Sequence, residues 1–117
     1  MDERRVAAVW WRVSTDDQRE TSPETQTHEC LALAGKVGYT VPQEYILGTD
    51  WRSLEVWNSP QMERLKELVR SKAIGAIFMY DPDRGPSRPA HRLLLRAPCQ
   101  ECGVLLRAVH GQIPDGD

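Results

Sequence analysis

The sequence is poor in the features that most often advertise a function. No apolar run exceeds eight residues, far short of the roughly 20 that a membrane-spanning helix requires, which argues against a membrane protein. No basic-then-apolar leader opens the chain, because Met1 to Arg5 runs straight into a short apolar segment. Cysteine is scarce, and its count of 3 is odd. Without a leader, that predicts a reducing, cytoplasmic setting rather than a disulfide framework. Neither sign of charge dominates: 15 Lys+Arg stand against 17 Asp+Glu, a formal net charge of −2. A total so mild argues against a free-standing, non-specific nucleic-acid binder. Internal repeats and low-complexity tracts are also missing. What is present is 117 residues with 40% hydrophobic and 27% charged content. These values predict one globular domain with a core of its own.

Hydrophobic patterning alternates between two periods. Val6 to Trp11 is short and apolar and predicts a buried strand. Ser22-Pro23 is a helix start, with serine as N-cap and proline in the first helical position. Cys30, Leu31, Leu33, Ala34 and Val37 supply that helix's apolar face, and Gly38 its stop. A second strand is expected between Tyr39 and Leu47, with Pro42 making its start irregular or placing it at a sheet edge. Ser59-Pro60 repeats the helix-start signal, followed by Met62, Leu65, Leu68 and Val69 at helical spacing. Ala73 to Tyr80 predicts a central strand buried on both faces. Pro89 opens a further helix ending near Gly103, and Val104 to Val109 is the last strand. Pro98 lies inside that helix, where its ring should clash with the carbonyl of Leu94. The alternation predicts an α/β fold with three layers, α/β/α, around a central, mostly parallel sheet.

In such sheets the functional crevice lies at the carboxyl ends of the strands. The loops there should be 12–21, 48–58 and 81–88, which gathers Arg12, Ser14, Asp50, Arg52, Asp83, Arg84 and Arg88 near one edge. Ser14 lacks a Gly-x-Ser-x-Gly elbow, and His28, His91 and His110 have no evident triad order, so acyl transfer is disfavoured. Guanidinium groups grip phosphate oxygens and stabilise charge on a phosphoryl transition state. A serine among arginines points to attack on a phosphodiester; ordinary surface arginines are the alternative.

The segment Val9-Trp10-Trp11-Arg12-Val13-Ser14-Thr15-Asp16-Asp17-Gln18, followed by Ser22-Pro23-Glu24-Thr25-Gln26, resembles the opening of the serine recombinase catalytic domain. That is the resolvase/invertase family, which includes large integrase-type members. The likeness continues through Ile77-Phe78-Met79-Tyr80-Asp81-Pro82-Asp83-Arg84 and Ser87-Arg88, spanning roughly 6–109. It implies a resolvase-like catalytic domain over 1–110, a frayed tail over 111–117, and DNA recombination as the activity. Ser14 would attack a DNA phosphodiester to give a 5′-phosphoserine link and a free 3′-hydroxyl. Arg12, Arg84 and Arg88 would hold the scissile phosphate, with Asp83 orienting arginines or assisting proton transfer. Gln18, Gln26, Asp50, Arg52 and Ser53 form the supporting set. Arg92 and Arg96 share one helical face with Arg88 and are candidates for DNA-backbone contact; a solvated face is the alternative. No metal, nucleotide cofactor or small-molecule substrate is implied. The partners would be double-stranded DNA and further copies of the chain, as dimers that pair into a synaptic tetramer.

The match has departures. Where the family usually has an arginine before the proline opening the second helix, this chain has Ser59; Arg52 is a candidate replacement. The family's Asp-Arg-x-Ser-Arg appears one residue longer, as Asp83-Arg84-Gly85-Pro86-Ser87-Arg88. The chain also ends where the family continues into a dimerisation helix and a separate DNA-binding domain, neither expected here. A degenerate, non-catalytic resolvase-like domain that associates with intact recombinases is therefore the competing expectation. A third class, using Cys99 and Cys102 for metal or thiol chemistry, would need Cys30 or His91 to complete a metal site; a helix end with ordinary thiols is the simpler expectation.

Overall fold

Ala7, Ala8, Val9 and Trp10 are fully buried, although successive strand residues point to opposite faces. That is satisfied only by an interior strand covered on both sides. The computed structural model describes residues 5–12, 22–49, 59–80 and 98–110. In it, strand β1 (Ala7–Arg12) is interior to a four-stranded sheet of order β2-β1-β3-β4. The other strands are β2 (Ile46–Thr49), β3 (Ala76–Met79) and β4 (Leu105–Ala108). All three pairings are parallel.

Helix α1 (Pro23–Lys36) covers one face. Its Cys30 and Ala34 pack with Ala7, Val9, Ala76 and Phe78. Helix α2 (Pro60–Arg70) covers the other. There Met62, Leu65, Leu68 and Val69 meet Ala8, Trp10, Leu47, Ile77 and Met79, joined by Cys99 and Val104. The fold is thus α/β with helices on both sides of a parallel sheet, as the alternating pattern requires.

Both helix starts form as the Ser-Pro signals predict. Ser22 Oγ accepts a hydrogen bond from the Thr25 N–H at 3.2 Å, and Ser59 Oγ accepts one from the Met62 N–H at 3.1 Å. Gly38 follows α1 with φ +91°, a left-handed conformation open to glycine. The exit from α2 has no glycine. Lys72 adopts φ 60° instead, while the Ala73 N–H returns to the Leu68 carbonyl at 3.1 Å.

Three expectations need correction. Leu31 is not on the buried face of α1 and is 37% exposed, because the stripe runs Gln26, Cys30, Ala34 at strict four-residue spacing. The second strand starts later than its apolar run: Thr40 bridges only Val6, and Gln43–Tyr45 forms a 3-10 turn first. Pro42 causes this, since it has no N–H for a ladder while its carbonyl accepts from the Tyr45 N–H at 2.9 Å. The third strand begins at Ala76 rather than Ala73, because Ala73 is consumed in closing α2; pairing with the β1 side opens with the Gly75 N–H donating to the Val6 carbonyl at 2.7 Å. Pro98 is helical, in a stretch over 98–102; its expected partner in a clash, Leu94, lies outside the described residues.

Candidate functional site

Parallel strands send all their carboxyl ends to one edge. Arg12, the last residue of β1, is level with Thr49, the last of β2. Trp10 is level with Met79, the last of β3, and Met79 with Ala108, the last of β4. The edge is therefore staggered, with β1 and β2 extending two residues past β3. From it the chain enters 13–21, 50–58 and the stretch beginning at 81; the expected loops 12–21 and 48–58 are shortened, because Arg12 belongs to β1 and Gly48 and Thr49 to β2.

Two of the expected site residues fall on described elements. Arg12 closes β1 at the carboxyl edge. Gln26 sits in the first turn of α1 with none of its surface exposed, one turn before Cys30 on the same helical face. Burial of a polar amide requires that its hydrogen bonds be met within the protein, so the Gln26 side chain is held among protein groups rather than in solvent. Ser14, Gln18, Asp50, Arg52, Ser53, Asp83, Arg84, Arg88, Arg92 and Arg96 lie outside the described residues, as do Trp51, Trp57 and His91.

Ser59, the residue standing where the resemblance called for an arginine, is fully buried and caps α2 through the Met62 N–H. A serine hydroxyl carries no charge, so this position cannot supply the cation that an arginine would. The cysteine alternative fares no better. Cys30 and Cys99 are buried free thiols. Burial, with Cys102 adding a smaller effect, pushes the Cys99 thiol up to about 12. Burial, then Glu29, does the same for Cys30. Held protonated, neither is an activated nucleophile at neutral pH. Among the described residues no group of three or more His, Cys, Asp or Glu could hold a metal ion.

Several features escaped the sequence reading. Lys66 is 7% exposed, and its ammonium donates to Glu63 Oε1 at 2.8 Å. At the carboxyl edge the rings of Tyr80 and His110 meet edge to face, 4.7 Å between centroids. Their backbones are tied as well, the His110 N–H donating to the Tyr80 carbonyl at 2.8 Å. The half-buried Trp11 faces Gly48 across the β1–β2 pairing. The first of these carries no periodic signal, since a lysine on a helix normally reads as surface.

A family model described as the resolvase N-terminal domain matches residues 7–117. Curated proteins provide no match. Among solved structures, the chain is similar to the C-terminal catalytic domain of ISC1926 TnpA, an IS607-like serine recombinase. Identity is 23%, coverage 91% of this chain and 71% of the other, and the TM-score 0.76. It is also similar to the N-terminal catalytic domain of TP901-1 integrase, at 20% identity, 89% and 76% coverage, and TM-score 0.72. A third is the first open reading frame of transposon ISC1904 from Sulfolobus solfataricus P2, at 12% identity, 96% and 71% coverage, and TM-score 0.67. At these identities the solved structures speak to the fold, and the family model to descent. Among the described residues no helix is long and apolar enough to cross a membrane.

Proposed function

Because the chain belongs to the family of resolvase N-terminal domains, we propose that it cuts and rejoins DNA at specific sites through Ser14. The family connects the chain with DNA recombination in general; the roles of individual residues are the proposal. One observation carries it above the others. Arg12 ends an interior strand at the carboxyl edge, level with the last residue of β2, and Ser14 follows two residues later.

In this reading the Ser14 hydroxyl oxygen attacks phosphorus. The phosphorus–3′-oxygen bond breaks, a 5′-phosphoserine ester forms, and the serine proton leaves as the 3′-oxygen gains one. Rejoining reverses these steps, so bond energy is conserved and no cofactor enters. Arg12, Arg84 and Arg88 neutralise the phosphate as charge builds on it. Asp83 orients them or carries a proton, while Gln18, Gln26, Asp50, Arg52 and Ser53 support the two loops. Residues 1–110 form the catalytic domain and 111–117 its tail. The partners are double-stranded DNA, contacted also by Arg92 and Arg96, and further copies of the chain as a dimer and synaptic tetramer, in the cytoplasm.

A second reading, a degenerate domain without catalysis, draws on Ser59. Loss of one preorganised donor to a developing oxyanion typically costs about 2.7–4 kcal/mol, a hundred- to a thousandfold in rate. The experiment presents suicide or nicked duplexes to the chain joined to a sequence-specific DNA-binding domain. A covalent protein–DNA adduct is expected, unaffected by chelator and abolished in Ser14→Ala. If the wild-type chain forms no adduct, catalysis is excluded and the degenerate reading stands.

A further inference from the structure

We propose that Trp11 is a positioning residue whose indole, seated on Gly48, sets how the strand ends bearing the candidate site lie against each other. The proposal rests on the functional reading above.

Trp11 and Gly48 are register partners on adjacent parallel strands. A Cβ built on Gly48 would fall inside the indole, against Cγ, Cδ2 and Cε2 of Trp11. The backbone does not call for glycine here: among the described residues positive φ occurs at Gly38, Gly103 and Lys72, not at Gly48. What requires glycine is the ring. An aromatic laid over a strand glycine restores the packing that the glycine lacks and pins strand register.

The position gives this pair its consequence. β2 is four residues long and pairs only with β1 among the described strands. A slip of one residue would turn every side chain of β2 to the other face, and with only four residues in the strand the indole over Gly48 is a large share of the packing that opposes it. One residue beyond the pair, Arg12 meets Thr49, and the segments carrying Ser14 and Asp50–Ser53 begin. Trp11 also differs from its neighbour: Trp10 is fully buried in the α2-side core, whereas Trp11 is half-buried and belongs to neither core cluster of the described residues.

The test compares Trp11→Phe, Trp11→Ala, Gly48→Ala and the double variant Trp11→Ala/Gly48→Ala. Two readouts are taken: adduct formation at saturating nicked DNA, in the format above, and backbone amide shifts of the 117-residue chain. Gly48→Ala is expected to slow adduct formation roughly ten- to a hundredfold, with DNA half-saturation unchanged. The double variant should recover part of that loss, because the added methyl then meets no ring. Trp11→Phe should stay near wild type. Amide shifts should move at 12–14 and 49–52 together in Trp11→Ala and hardly in Trp11→Phe. A purely structural role predicts lower thermal stability with an unchanged saturated rate in the folded fraction, and that result overturns the proposal. So does simple additivity of the two single effects in the double variant. If Gly48→Ala does not fold, the contrast between Trp11→Ala and Trp11→Phe decides on the same readouts. If the wild type forms no adduct, the functional reading falls. The amide shifts then decide alone: concerted movement of both strand ends upholds the positioning role, and movement confined to β1 overturns it.

Discussion

Cys99 sits in the apolar core under α2 with 1% of its surface exposed, and its thiol is pushed up to about 12. This has a direct consequence for stability. In the unfolded chain the thiol ionises near its ordinary value of 9.0, whereas in the folded protein it stays protonated until about 12. Below pH 9 both states hold the proton, and the stabilising effect of the buried neutral thiol is fully present. Between the two values the unfolded state alone releases it, so stability falls as pH rises. The expected loss is about 1.4 kcal/mol for each pH unit in that window. Denaturant midpoints at pH 8, 9 and 10 check it: wild type should decline more steeply than Cys99→Ala, and coincident slopes would contradict the burial argument. Spacing alone could not decide this. Cys99-Gln100-Glu101-Cys102 reads equally as a half metal site or a helix end, and only the packing of 98–102 against the sheet separates them. Gly48 shows the same limit, since a glycine in a strand says nothing of the ring that requires it.

The two main helices differ in how openly the chain announces their ends. Both starts were legible because a Ser-Pro pair acts locally: the hydroxyl reaches the N–H three residues on, whatever the tertiary structure. The end of α1 was legible for the same reason, since Gly38 takes a left-handed φ of +91°. The end of α2 was not, because Lys72 holds φ 60° without the usual residue. For an L-residue that conformation costs roughly 1–2 kcal/mol, and packing of Leu68 and Val69 holds it in place. Two substitutions test this in opposite directions. Lys72→Gly should raise stability by about 1 kcal/mol. Gly38→Ala should lower it by a comparable amount, and its new methyl would also crowd the Arg5 guanidinium at 3.1 Å. Thermal melts of both variants read the sign directly. Strand starts were the least legible boundaries. Pairing between distant segments fixes them, as at Ile46 and Ala76, rather than any local signal.

Across the whole molecule, alternation of strand and helix was enough to foretell a parallel sheet covered by helices, because right-handed crossovers leave few other arrangements. The strand order, the stagger of Arg12 and Thr49 beyond Met79, and the buried station of Gln26 were not foretold; they depend on register and packing. Charge distribution adds a part of the picture that the total conceals. From Arg84 to Arg107 the chain carries five arginines and one acidic residue, Glu101, within a molecule of net charge −2. If Arg92 and Arg96 touch the DNA backbone as proposed, each contact releases counterions, and binding weakens with salt by about 0.9 in log–log slope per phosphate. Arg92→Ala and Arg96→Ala should each weaken binding of the fused chain to duplexes of any sequence and lower that slope by about 1. Titrations across a salt series, with the fused DNA-binding domain alone as reference, measure both quantities. Slopes equal to wild type in both variants would assign these arginines to a solvated helix face. The phosphate-binding role would then be confined to Arg12, Arg84 and Arg88.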